Sequence, residues 1–100
     1  MSRKTPEIGQ FVRIIRGREL DQYAIVIGIF DHHHVLVADG EKRKFHSPKK
    51  KNINHLTFYD CVSPEVQNSI NETGRVTNGK LRYSLLKFVR EQVTDLKKGE

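Results

Sequence analysis

Between Gly9 and Tyr59 the chain breaks into short runs rich in β-branched and aromatic residues, each closed by a glycine, a proline or a polar turn. This punctuation constrains the fold more than any other feature of the sequence, because such runs are too short for core helices and suit strands. Gly9–Arg16 reads as the first strand, ended by Gly17, and the polar turn Gly17–Gln22 follows. Tyr23–Phe30 is apolar on both faces, which fits a strand in the middle of a small barrel. Gly28 inside it points to a bulge or a close backbone approach. Asp31–His33 is a turn and His34–Ala38 a third strand. Asp39-Gly40 is a two-residue hairpin signal, because both residues tolerate positive φ. It predicts a return strand over Glu41–His46, which Pro48 ends, with Lys49–Lys51 as a basic loop and Asn54–Tyr59 as the last strand.

After residue 62 the period changes. Ser63 as N-cap and Pro64 at the first helical position start a helix that runs to about Glu72 and stops before Gly74. Asn78-Gly79 opens a second segment, in which Leu81, Leu85, Phe88, Val89 and Leu96 fall near one face. Lys80, Arg82, Lys87 and Arg90 are mostly left for the other. The expected architecture is mainly β with α: a barrel of about five strands followed by one or two helices. Its parts are a flexible N-terminus (1–7), the barrel (8–62), a helical extension (63–96) and a flexible tail (97–100).

Length narrows the function. A chain of 100 residues is one domain with a modest core, too small for an enzyme with a deep cleft. The single cysteine, Cys61, excludes an intramolecular disulfide and a two-thiolate metal site within the chain. Met1–Pro6 has no apolar signal-peptide core and no run is long enough for a membrane span, so a cytoplasmic location and no membrane partner are expected. His32-His33-His34 invites a metal, but neighbouring residues of an extended segment face opposite ways and converge poorly on one ion. Ser63, Ser69 and Ser84 lie in no nucleophile context, and Cys61 reads as a small hydrophobe. Glu19 and Asp21 sit in a basic turn and balance nearby arginines. The expectation is a protein that is not an enzyme, with no catalytic, metal or cofactor site.

Charge is more informative. The net charge is +6, and residues 1–56 alone carry +5, from 11 Lys/Arg against 6 Asp/Glu. The basic residues form three clusters: Arg13, Arg16 and Arg18; Lys42, Arg43 and Lys44; Lys49, Lys50 and Lys51. Clusters this close in a small barrel can converge on one surface, as a phosphate backbone requires, since each neutralised phosphate releases counterions. Arginine adds forked donors and stacking on bases.

These residues resemble a known family. Gly17-Arg18-Glu19 with Tyr23–Gly28, then Val35–Gly40, then Pro48–Asn52 with Asn54-His55-Leu56, look like a KOW motif and its flanks over roughly residues 8–60. The match is closest to archaeal- and eukaryotic-type large-subunit ribosomal proteins of the "L-fourteen-e" kind and to small bacterial proteins similar to them. The resemblance implies an SH3-like barrel that binds RNA, usually ribosomal RNA, and an association with the ribosome. By position it puts RNA contact on Arg16, Arg18, Lys42, Arg43, Lys44 and Lys49–Lys51, with Asn54 and His55 beside them. Where the motif typically has glycine after its turn, this chain has Asp21, which tolerates a left-handed backbone. KOW domains of transcription-elongation factors contact proteins instead. That implies a second reading, an interaction module using the barrel and a C-terminal face of Leu81, Leu85, Phe88 and Val89.

Overall fold

The computed structural model describes residues 5–98, with side chains to residue 92. Of the ends expected to be flexible, residues 1–4 and 99–100 lie outside the described residues. Five strands come first: β1 (Gln10–Ile14), β2 (Tyr23–Ile29), β3 (His34–Ala38), β4 (Lys49–Asn52) and, after a 3-10 turn at Ile53–His55, β5 (Leu56–Val62). Two helices follow, α1 (Pro64–Thr73) and α2 (Asn78–Lys98). The strands form one antiparallel sheet in the order β4-β3-β2-β1-β5, consistent with an SH3-like barrel.

Strand alternation divides the core in two. Val12, Ile14, Ala24, Val26, Val35, Val37 and Leu56 form one buried cluster, on one face of the sheet. Phe11, Ile25, Ile27 and Ala38 face the other way and pack against Val66, Val76, Leu81 and Phe88 of the helical segment. The register holds the two sets apart, with Phe11 opposite Ile25 and Val12 opposite Ala24. β2 feeds both clusters, which is why its run is apolar on both faces. The register shifts between Val26 and Gly28, the irregularity that Gly28 foretold. Phe88 anchors α2: its ring stacks on Phe11 at 4.2 Å and 4° and lies 5.2 Å from Tyr59. Leu81 and Phe88 are therefore barrel-facing core, and Leu85 and Val89 pack at its margin. Leu96 lies outside the residues with described side chains.

Helix boundaries follow local chemistry. The Ser63 hydroxyl accepts from the Val66 N–H at 3.3 Å, and Gly74, at φ +79, ends α1 by donating to the Ile70 carbonyl at 2.8 Å. Thr77 Oγ1 accepts from the Lys80 N–H at the start of α2. That helix reaches Lys98, past the boundary at 96 that the pattern predicts.

One expected pairing is corrected. Glu41–His46 is not a strand, and the partner of β3 is β4, with Val35 opposite Lys51 and Val37 opposite Lys49. Asp39 and Gly40 do not make a two-residue hairpin; their N–H groups both donate to the Arg43 carbonyl, closing a longer loop. The reason is tertiary. Gly40, at φ +82, lies against the first turn of α2, where a Cβ would meet the Asn78 carbonyl and stand 3.0 Å from Leu81 Cβ. Arg82 Nη1 donates to the Gly40 carbonyl at 2.9 Å, and the Phe45 N–H donates to Asn78 Oδ1 at 2.8 Å. The loop docks the helix instead of turning back along the sheet.

Candidate nucleic-acid interface

The turn after β1 is built on two left-handed residues, Gly17 at φ +99 and Asp21 at φ +72, the latter alone among described non-glycine residues in having positive φ. The Asp21 N–H donates to the Ile14 carbonyl at 2.7 Å, so the turn closes on the strand that it leaves. Asp21 Oδ1 also accepts from Arg13 Nη1 at 2.8 Å. Arg13 stands on the helix-packed side of the sheet, opposite Tyr23 and Thr57. Its pKa is pushed up, first by hydrogen bonding to Tyr59, and Asp21 adds to the shift.

Glu19, in the same turn, gathers the other two basic clusters. Its Oε1 lies 3.0 Å from Lys51 Nζ and its Oε2 lies 3.7 Å from Arg43 Nε. The Lys51 ammonium, by hydrogen bonding and charge, holds the Glu19 carboxyl below its ordinary range against the opposing effect of burial, with Lys49 and Arg43 contributing. Gly17 completes this corner, since a Cβ there would stand 3.8 Å from Lys51 Nζ. Turn, loop and β4 thus meet around one carboxylate.

Because the folded pKa of Glu19 is depressed, its contribution to stability is fully present above the unfolded value near 4.5 and is lost as pH falls through the folded one. Glu19→Gln keeps an oxygen within reach of Lys51 Nζ but removes the charge, and should cost about 1 kcal/mol at neutral pH. It should also flatten the loss of stability below pH 4.5. Urea unfolding of both proteins at neutral and acid pH measures this, and equal acid sensitivity would count against it.

The remaining candidates divide by exposure. Arg16, Arg18, Lys42, Lys44, Lys50 and Asn54 are exposed, whereas Arg43, Lys49 and His55 are half-buried and Lys51 is buried. Lys44 Nζ donates to the Glu41 carbonyl within its own loop. The Asn54 N–H donates to Asn52 Oδ1, and the His55 carbonyl accepts from the Ile15 N–H, so the backbone at both residues shapes the entry to β5. Lys51 and Arg13 are the candidates most engaged by carboxylates of the protein itself.

In the sequence Phe30 is simply the end of an apolar strand, with no functional signal of its own. It is 56% exposed, with Lys50 Nζ 4.4 Å from its ring centroid. Only its position marks it, an aromatic residue at the entrance to a histidine-rich turn. In that turn the Asp31 carboxyl is held below its ordinary range, first by the His33 N–H and then by the His34 ring. Tyr83 and Leu86 of α2 are exposed and line a groove of about 660 Å³ with Lys42, Leu85 and Val89. Among the described residues no group of three or more His, Cys, Asp or Glu could hold a metal, and no helix is long and apolar enough to cross a membrane. Cys61, expected as a small buried hydrophobe, is instead exposed near the end of β5, and its thiol pKa is pushed up by partial burial first and by Glu91 and Asp60 second.

No family model matches the chain. It is 68% identical over 71 residues to the "Putative ribosome-binding protein YbzG" of Bacillus subtilis (strain 168), an alignment covering 71% of this chain and 96% of that relative.

Proposed function

Since the chain belongs to the YbzG family, we propose that it is an RNA-binding protein of the cytoplasm that associates with the ribosome through ribosomal RNA, using the basic loops of a KOW-type barrel. The observation that carries this reading is the relative, described as ribosome-binding, at 68% identity. Two features of the chain support the RNA part. Five of its six surplus charges lie in residues 1–56, and the turn that resembles a KOW motif keeps the left-handed backbone the motif's glycine would take, at Asp21. In this reading the exposed Arg16, Arg18, Lys42, Lys44 and Lys50 grip the phosphates. Recognition is then by shape and charge of structured RNA.

Salt titration tests it. The logarithm of the affinity of the purified protein for ribosomal RNA should fall linearly with the logarithm of salt, by roughly 0.7–0.9 for each phosphate neutralised. A flat dependence would overturn the RNA reading.

A second reading keeps the ribosome but replaces RNA with protein. The exposed Tyr83 and Leu86 favour it, because two large apolar side chains three residues apart on one helix suit a helix-in-groove contact. Ribosome cosedimentation that survives nuclease and high salt, and that Tyr83→Ser with Leu86→Ser abolishes, would support this reading over the first.

A further inference from the structure

We infer that Phe30 is a stacking platform for an unpaired nucleobase of the bound RNA, with Lys50 and His34 as its supports; this rests on the RNA reading above and gives it a site. Neither hydrophobic cluster contains Phe30. The ring is instead held by polar neighbours. The Phe30 and Asp31 N–H groups both donate to the His34 carbonyl, at 3.0 and 3.2 Å, which fixes the backbone at the end of β2. His34 Nδ1 lies 2.9 Å from Asp31 Oδ1, and the imidazole meets the Phe30 ring edge-on at 6.5 Å and 86°. Lys50 lies over one face. What is left exposed is the rest of an apolar ring whose orientation is already set.

An exposed aromatic ring held in this way presents a π surface at small ordering cost. The chemistry around it selects the partner. Lys50 belongs to the all-lysine start of β4, and His32 and His33, in the turn that follows Phe30, are exposed. Apart from the ring, the adjoining exposed apolar side chain is Ile29. That is too little apolar area for a protein contact core, and the cationic setting suits a polyanion. A base has a π face to stack on the ring, and the phosphate beside it can take the Lys50 ammonium.

The test uses the full chain and two labelled probes, a single-stranded oligoadenylate and an RNA duplex. Phe30→Ala should lower affinity for the single strand by about tenfold or more and leave duplex affinity within about twofold. Phe30→Trp should restore binding, and, because the chain has no tryptophan of its own, its emission should report stacking directly by quenching as oligoadenylate is added. Unchanged single-strand affinity in Phe30→Ala, or unchanged emission of Phe30→Trp at saturation, overturns the platform. If the parent protein binds the duplex while either of those results is obtained, the platform alone falls. If the parent binds neither probe at low salt, the RNA reading falls with it. Loss of a nuclease-resistant ribosome contact in Phe30→Ala, with both RNA affinities kept, assigns the ring to a protein partner and also overturns the platform.

Discussion

Replacing Arg16, Arg18, Lys42 and Lys50 together by Ala should weaken RNA binding about a hundredfold at low salt, from four phosphate contacts at a few tenths to 1 kcal/mol each. The salt slope should fall by as much as roughly four, about one for each phosphate that is no longer neutralised. All four side chains are exposed, so the fold should survive, and an unchanged urea midpoint checks that it does. Lys51 is left out for a physical reason. It is 9% exposed and paired with Glu19, so its removal would confuse stability with binding. Anisotropy with a ribosomal RNA fragment measures the effect. Full affinity in the fourfold variant would show that the exposed basic loops do not carry binding.

The second large effect is on stability. Gly40→Ala should cost about 3–4 kcal/mol, because about 1 kcal/mol of left-handed backbone strain adds to the overpacking of a Cβ against the start of α2. The new methyl would meet the Asn78 carbonyl and stand 3.0 Å from both Arg82 N and Leu81 Cβ. It must either displace the helix or break the Gly40–Arg82 hydrogen bond. For a domain of this size the loss is a fall in Tm of roughly 15 °C or more. Gly74→Ala is the control, with nearly the same φ, +79, but with no atom within 4 Å of the added Cβ. It should cost only about 1 kcal/mol. Equal losses by calorimetry would mean that backbone strain, and not helix docking, sets the cost at Gly40.

These two sites mark where local reading succeeded and where it stopped. The apolar run of β2, the bounds of β3, and the Ser63-Pro64 and Gly74 signals of α1 are local properties, and each stands in the structure as read. The return strand did not, because the meaning of Asp39-Gly40 depends on Asn78 and Leu81, about forty residues on. Lys49–Lys51 reads as a loop because Pro48 breaks the pairing just before it. Alternation exists in their environment, with Lys51 buried and Lys50 exposed, and Glu19 creates that difference from thirty-two residues away. The same limit applied to the candidate site. Charge runs located the basic residues, but not which of them the protein neutralises for itself. Phe30 was visible as an aromatic residue, but its exposure depends on the loop that holds it.

Among the described residues β4 is also the last strand of the sheet, so one side of its backbone has no strand partner in the order β4-β3-β2-β1-β5. A free edge of this kind is a template for a neighbouring chain. Two copies that joined β4 to β4 would set lysine against lysine across a spacing of about 4.8 Å, and like charges so placed repel. Removing charge from this strand should therefore favour edge-to-edge pairing, which light scattering of a Lys49→Ala/Lys50→Ala variant would register.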